Sequence, residues 1–278
     1  MKRLKNLTRM EVKLKPTFFT FKFELGIQKS KFIIFSLITV LISFLTGFLP
    51  YYLNFQNLHW ELFYFYSSSL MFFIFMLAFS STFFFSGIIC SEHKKKTGFT
   101  ILPLLKRHEL LIGKFFANYL LSVGVAAVQY ISMVLYGFYF YGPPLLSTPI
   151  LSFGLVMVYL LALNSIITFF SSFMPSATSV IIVVLSLFFF GFAIIQSLLL
   201  SVNPYFEPLY SFYYLFNIIQ ESLNPLLLYN YQHRYFIDPE MNDVWWGFPT
   251  IEGALISLTI YFVVFFLLSY LIFKKKGI

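Results

Sequence analysis

The chain has little charge and almost no cysteine. Only 11% of its 278 residues are charged, whereas a soluble domain carries about 25%. Its one cysteine, Cys90, excludes an intramolecular disulfide. Hydrophobic residues make up 59% of the sequence and aromatic residues 22%. This composition argues against an ordinary soluble domain and indicates a membrane protein.

Six apolar runs are each long enough to cross a membrane, because a helical span needs about 20 residues. The runs are residues 32–52, 62–89, 115–141, 151–173, 179–201 and 251–273. Helices satisfy their own backbone hydrogen bonds inside lipid. We therefore predict an all-α membrane protein in which residues 32–278 form a six-span transmembrane domain.

The basic residues are distributed asymmetrically. All of the 19 lysines and arginines except Arg234 lie in residues 1–31, 94–114 and 274–276. With six spans these segments share one face, and the positive-inside rule makes that face cytoplasmic. We expect a multi-pass protein of the plasma membrane with both termini in the cytoplasm. Anionic lipid of the bilayer is a sufficient partner for the net charge of +8, so no nucleic acid is needed.

Two segments outside the spans have apolar character. Residues 1–31 form a basic arm in which apolar and polar residues alternate over 19–28. Alternation is typical of a strand, but a lone strand leaves its backbone unpaired, so we predict an interfacial elbow helix. In the long 202–250 connection, residues 209–223 are apolar but too short to span. We predict re-entrant or interfacial helices there on the extracellular side.

Catalytic and ion-carrier motifs are missing. No ionisable residue lies well inside a predicted span, which argues against a carrier driven by protons or sodium. The four histidines have no ligand spacing with Cys90, so we predict no metal site. Gly113 and Lys114 are followed by Phe115 rather than Ser or Thr, so no phosphate loop is present. We expect a protein that is not itself an enzyme.

Four amides, Asn118, Gln129, Asn164 and Gln196, lie within or near the predicted spans. They either join helices by hydrogen bonds or bind a substrate. The connection between the second and third spans combines basic residues with an apolar set that a solvated loop does not need. This connection either lies on lipid or docks on a partner protein.

The sequence of this connection resembles the permease subunit of ABC-2 type transporters. The residues that carry the resemblance are Glu92, Gly98, Leu102, Pro103, Leu105, Arg107, Glu109, Leu110, Leu111, Gly113 and Lys114. One departure is Phe99, which separates the motif glycine from Thr100. The motif is confined to the segment 91–114, whereas the six-span order covers nearly the whole chain.

The resemblance implies that this connection is a cytoplasmic coupling helix on a separate ABC ATPase. The coupling residues would be Glu92, Gly98, Leu102, Leu104, Leu105, Arg107 and Glu109. Two ATPase copies would bind ATP and Mg²⁺, and this chain itself would hold no cofactor. It would pair with a second permease copy or a sister permease and export an unidentified substrate. The alternative is a membrane anchor or scaffold that transports nothing.

Alternating access in that family implies a path between facing second and fifth spans. The candidate path residues are Ser68, Ser69, Phe72 and Met76 on the second span and Phe188, Gly191 and Ile195 on the fifth. Ser68, Phe72 and Met76 recur every four residues, so we expect them to share one helix face. Ordinary helix packing is the alternative role for each of them.

Overall fold

The computed structural model describes residues 15–54, 62–90, 106–142, 147–203, 205–224, 235–237 and 244–275. Six helices in these ranges are long and apolar enough to cross a membrane, which confirms the predicted multi-pass architecture. We number them spans 1 to 6: Thr17–Leu53, Phe65–Phe85, His108–Tyr141, Ser147–Phe173, Ala177–Leu199 and Ile251–Lys275. The predicted ends of spans 2, 4, 5 and 6 lie within about one helical turn of the observed ends.

The regular elements are mostly helical. The helices are Lys15–Ser43, Leu49–Asn54, Leu62–Met71, Phe73–Phe85, Arg107–Tyr141, Ser147–Phe173, Ala177–Ser186, Phe192–Val202, Phe212–Glu221 and Ile251–Lys275. Single π-helical turns, Phe44–Phe48 and Leu187–Gly191, interrupt spans 1 and 5. Strand Tyr235–Ile237 pairs antiparallel with strand Val244–Trp246. The all-helical prediction did not include this short hairpin.

Span 1 differs most from the sequence prediction. One helix begins at Lys15 and continues to Ser43 without a break near residue 31, so the elbow is not a separate helix. The predicted helix over residues 19–28 is confirmed, and the period-two pattern there is not a strand. Polar residues interrupt the apolar run, which is why the predicted span starts at residue 32 and the observed span starts at Thr17.

Spans 2, 3 and 4 form the centre of the bundle. Buried residues make up 71%, 50% and 61% of their most apolar stretches, but only 17%, 17% and 11% of those of spans 1, 5 and 6. Span 1 packs along span 3, and span 6 packs along span 4. Span 5 packs against spans 2 and 4. Close packing and interhelical hydrogen bonds drive such association in lipid.

The ends of the spans lie at two faces of the bundle. The Ser171 hydroxyl donates to the Ser86 carbonyl, and the Phe85 ring contacts the Phe115 ring, so the last turns of spans 2 and 4 lie beside the start of span 3. We call this side the terminal face, because the helices of spans 1 and 6 also begin and end there. The other side, at Tyr141, Ser147 and Ile251, is called the opposite face.

Candidate functional site

The first turns of span 3 carry the described part of the predicted coupling segment. The predicted coupling residues outside the described part of the chain are Glu92, Gly98, Leu102, Leu104 and Leu105. Arg107 is the first residue of the span 3 helix, and Glu109 lies in its first turn. The Glu109 carboxylate accepts a hydrogen bond from the Lys106 backbone N–H at 3.1 Å. Glu109 therefore stabilises the start of this helix through capping and through the helix dipole.

Gly113 lies at a close crossing of span 3 and span 1. A Cβ atom at this position would be 2.8 Å from the Thr17 carbonyl oxygen and 3.0 Å from the Thr20 Cβ. The Thr17 oxygen belongs to the backbone, so it cannot turn away as a flexible side chain can. About three turns further along span 3, a Cβ atom at Gly124 would be 2.8 Å from the Phe32 ring. The motif glycine is thus required for packing between these two helices.

A buried ion pair lies beside this crossing. Lys114 Nζ is 4.0 Å from Glu24 Oε2, and both residues are buried. The Gln28 side-chain amide donates to Glu24 Oε1 at 3.1 Å. In a low-dielectric setting the loss of one charge leaves the other uncompensated. The pair therefore joins the start of span 3 to the N-terminal half of span 1.

The N-terminal half of span 1 has its polar side towards the protein. Thr20, Glu24 and Gln28 recur every four residues and are all buried. Phe19 and Phe23 lie on the outer side, where 67% and 55% of their surfaces are exposed and their rings stack 6.4 Å apart. Exposed lysines also occur along this part of the helix, so its outer side combines aromatic rings with basic groups. Such a side fits contact with a lipid surface or with a partner.

Span 3 is longer than a hydrocarbon core requires. Its 34 residues correspond to about 51 Å, against about 30 Å for the core. Span 1, with 37 residues, is longer still. Because the two helices are fastened at Gly113 and Lys114, they form a rigid pair at the terminal face. The described motif residues lie on the first two turns of this pair.

The predicted path residues of span 2 lie in different surroundings. Ser69 is fully buried, and its backbone and side-chain oxygens both accept from the Gln129 amide, at 3.1 and 3.2 Å. The Ser68 hydroxyl donates to its own helix, at the Phe65 carbonyl. Phe72 is 49% exposed, whereas Met76 is buried. Phe72 lies at the junction of the helices Leu62–Met71 and Phe73–Phe85, and the shared helix face of Ser68, Phe72 and Met76 stays a prediction.

The predicted path residues of span 5 cluster around its π-helical turn. Phe188 and Gly191 lie within the turn Leu187–Gly191, and the Phe188 side chain is buried. Ile195 lies one turn further along and is 41% exposed. A π-helical turn re-aims the side chains around it and is frequent at functional sites.

Spans 2 and 5 are neighbours within the bundle. The Phe189 ring stacks on Phe75 at 5.4 Å and also contacts Phe79 at 5.7 Å. Both spans also carry exposed apolar side chains, and we call this set the 2/5 surface. Its exposed members are Phe72, Phe75, Phe79, Phe83, Ile182, Phe190, Ile194, Ile195 and Leu198.

The helix Phe212–Glu221 is inserted between the ends of the spans at the opposite face. The rings of Phe212 and Phe216, one turn apart, both pack on Tyr159. Span 4 begins at Ser147, and Tyr159 lies about three turns, or about 18 Å, further along its axis. A helix is confirmed within the predicted segment 209–223, and its aromatic side reaches towards the middle of the bundle.

Hydrogen bonds also fix the position of this helix, and its end is buried. The Ser152 hydroxyl donates to the Ile219 carbonyl at 2.7 Å, and the Tyr261 hydroxyl donates to the Tyr210 carbonyl at 2.8 Å. At the end of the helix, burial raises the pKa of the Glu221 carboxyl. The segment is therefore packed between spans 4 and 6 rather than laid on the surface of the bundle.

Sequence reasoning overlooked the buried pair Glu24 and Lys114. The signal that could have found it is the spacing Thr20, Glu24, Gln28, which gives one polar helix side within an apolar segment. Three of the four amides also separate into two kinds. Gln129 joins spans 2 and 3, whereas Asn118 and Asn164 have no hydrogen-bond partner for their side-chain atoms among the described residues.

Comparison with known proteins does not identify a family for this chain. No family model matches the chain, and no curated protein matches it significantly.

Proposed function

We propose that the chain is the transmembrane permease subunit of an ABC exporter. It pairs with a second permease copy or a sister permease, and two copies of a separate cytoplasmic ATPase drive it. ATP and Mg²⁺ are bound by the ATPase. The complex lies in the plasma membrane with the terminal face in the cytoplasm.

The observation that carries the proposal is the fastening of the motif-bearing start of span 3 to span 1. Gly113 admits the span 1 backbone, and Lys114 pairs with Glu24. A push on residues 91–106 by an ATPase would therefore reach two long helices together. Span 3 contacts the central spans 2 and 4, so the push would then reach the middle of the bundle.

The 2/5 surface is the proposed contact with the second permease. It combines exposed aromatic residues of span 2 with the exposed side of span 5. Among the predicted path residues, Phe72 and Ile195 lie on this surface. Ser69, Met76 and Phe188 are buried, and Ser68 and Gly191 are half-buried. Movement of span 5 at its π-helical turn would bring them towards the path.

The test is purification of the protein in mild detergent from its native membrane, with mass spectrometry and an ATP hydrolysis assay. The variant is Glu92→Ala, Leu104→Ala, Leu105→Ala, which removes the predicted docking side chains. The control is Lys94→Gln, Lys95→Gln, Lys96→Gln, which removes charge from the same connection. We expect a stoichiometric ATPase that the first variant loses or uncouples and the control variant retains.

Two results would contradict the proposal. An intact complex without any ATPase would favour a membrane anchor that transports nothing. An ATPase that the first variant retains and the control variant loses would indicate that charge, and not the predicted docking side chains, holds the partner. The thermal unfolding of each variant separates loss of the partner from loss of the fold.

A further inference from the structure

Two asparagines in the central spans have no partner for either polar side-chain atom among the described residues. Asn118 on span 3 and Asn164 on span 4 are both fully buried. On span 2 the Ser81 hydroxyl is also buried and has no hydrogen-bond partner among the described residues. Each unpaired buried amide or hydroxyl costs several kcal/mol in an apolar medium. Three such groups within one core require an explanation.

The three side chains lie at one level of the bundle. Tyr130 on span 3 bonds to Ser152 on span 4 at 2.6 Å. Asn118 and Asn164 lie equally far from that pair along their own helices, both towards the terminal face. The ring contact of Phe85 with Phe115 places Asn118 opposite residues 80–82 of span 2. Since each residue adds about 1.5 Å along a helix, the three levels agree to about 3 Å.

Asn118 also faces the interior on independent grounds. It lies about three turns before Gln129, so the two side chains share one side of span 3. Gln129 uses that side to bond to Ser69 on span 2. Asn118 therefore repeats the position of Gln129 nearer the terminal face. Its side chain is one methylene shorter, and it makes no bond to span 2 within the described structure.

Nearby hydroxyls do not pair with the side-chain amides of these asparagines. The Ser122 hydroxyl donates to the Asn118 backbone carbonyl, and the Thr168 hydroxyl donates to the Asn164 backbone carbonyl. Both hydroxyls serve the main chain of their own helix and leave the side-chain amides unpaired. The unpaired set therefore comprises two carbonyl oxygens, two NH₂ groups and one hydroxyl.

We infer that Asn118, Asn164 and Ser81 bind internal water between spans 2, 3 and 4. A cation would satisfy only the oxygens of this set, and an anion only its donors. Water both donates and accepts, and buried waters typically bond to two to four polar groups. The inference rests on burial and helix register, and it is independent of the transport proposal.

The test is X-ray radiolytic labelling of the full chain in lipid nanodiscs in H₂¹⁸O. Hydroxyl radicals formed from bound water oxidise side chains beside it, even where bulk solvent cannot reach. We expect ¹⁸O on the buried rings of Phe85 and Phe115, which contact each other, at levels above that of buried Phe65. Aromatic rings are the suitable probes, because the radical adds its own water-derived oxygen to the ring. Phe65 lies about four turns from Ser81 along span 2 and is the dry reference.

Variants assign the label to the amides. Asn118→Leu with Asn164→Leu should reduce the label at Phe85 and Phe115 to the level of Phe65. Gln129→Leu removes an amide that already has a direct partner, so it should leave the label unchanged. If wild-type Phe85 and Phe115 are labelled no more than Phe65, the inference is overturned. Label that disappears when Na⁺ and K⁺ are replaced by N-methyl-D-glucamine would overturn water in favour of a hydrated cation.

Discussion

The two faces of the bundle are held together in different ways. At the terminal face, spans 1 and 3 meet through a glycine crossing and a buried pair, Lys114 with Glu24. At the opposite face, the helix Phe212–Glu221 is held by aromatic rings on Tyr159 and by the hydroxyl of Ser152. The first contact depends on charge and close backbone approach, and the second on side-chain volume.

This difference has a physical origin. Lipid is as apolar as the side chains of a span, so apolar contact alone does little to fix which helix lies next to which. Charge pairing between Glu24 and Lys114 fixes the partner and the register of spans 1 and 3. The helix Phe212–Glu221 is amphipathic and short, so close packing of its rings can stabilise it between the spans. The two faces should therefore respond to different substitutions.

The largest expected effect is at the opposite face. Phe212→Ala removes a buried ring that contacts Tyr159, Phe192 and Tyr261. Such a substitution costs about 3–5 kcal/mol, so the unfolding temperature should fall by roughly 10 °C. The measurement is thermal unfolding in detergent. The control Tyr213→Ala lies on the same helix, where its side chain is 55% exposed, and should have little effect.

Equal effects of these two substitutions would mean that the helix Phe212–Glu221 is not packed between the spans. In that case the packing of large side chains would not distinguish the opposite face from the terminal face.

The second effect concerns the glycine crossing. Gly113→Ala adds a Cβ that would be 2.8 Å from the Thr17 carbonyl oxygen. Overpacking costs about 1–3 kcal/mol, so the unfolding temperature should fall by roughly 5 °C. The control Gly154→Ala adds the same atom where no other atom lies within 4 Å. There the better helix propensity of alanine, worth about 1 kcal/mol, should raise the unfolding temperature slightly.

The opposite signs make this pair of variants informative. A stabilising Gly113→Ala would contradict the close crossing of spans 1 and 3, whereas a destabilising Gly154→Ala would reveal a contact of span 4 outside this chain.

The third effect isolates the charge pairing. In a double-mutant cycle with Glu24→Gln and Lys114→Met, we expect a coupling energy of about 1 kcal/mol, measured by chemical or thermal unfolding. Because the pair is buried, the coupling should change little between low and high salt. Lys29→Met in place of Lys114→Met is the control, since Lys29 is exposed on span 1. Coupling that vanishes in salt would show that the pair is open to solvent.

Hydrophobic runs predicted the six spans well because a span must be apolar along most of its length. They could not predict where span 1 begins. Its polar residues, Thr20, Glu24 and Gln28, interrupt the run, and only packing against span 3 makes them part of a buried helix side. The positive-inside pattern likewise could not reveal that Lys114 has a carboxylate partner.

The candidate site was harder to predict for a related reason. A spacing of four residues places Ser68, Phe72 and Met76 on one side of an ideal helix, but it does not predict that Phe72 is exposed and Met76 buried. The surroundings of each side chain also depend on which spans lie beside it, and one sequence does not state that. The expectation that spans 2 and 5 face each other came from the resemblance rather than from the hydrophobic pattern.

The smallest expected effect concerns a buried carboxyl at the opposite face. Burial raises the pKa of Glu221, so the folded state binds this proton more tightly than the unfolded state, whose value is near 4.5. Stability from this group is therefore present below that value and is lost as pH rises through the folded-state pKa. Glu221→Gln should raise the unfolding temperature at pH 7 by about a degree or two. At pH 4, where the carboxyl is largely protonated, it should change little. The exposed Glu252→Gln is the control, and a Glu221→Gln variant that is less stable at pH 7 would indicate a favourable partner for the carboxylate.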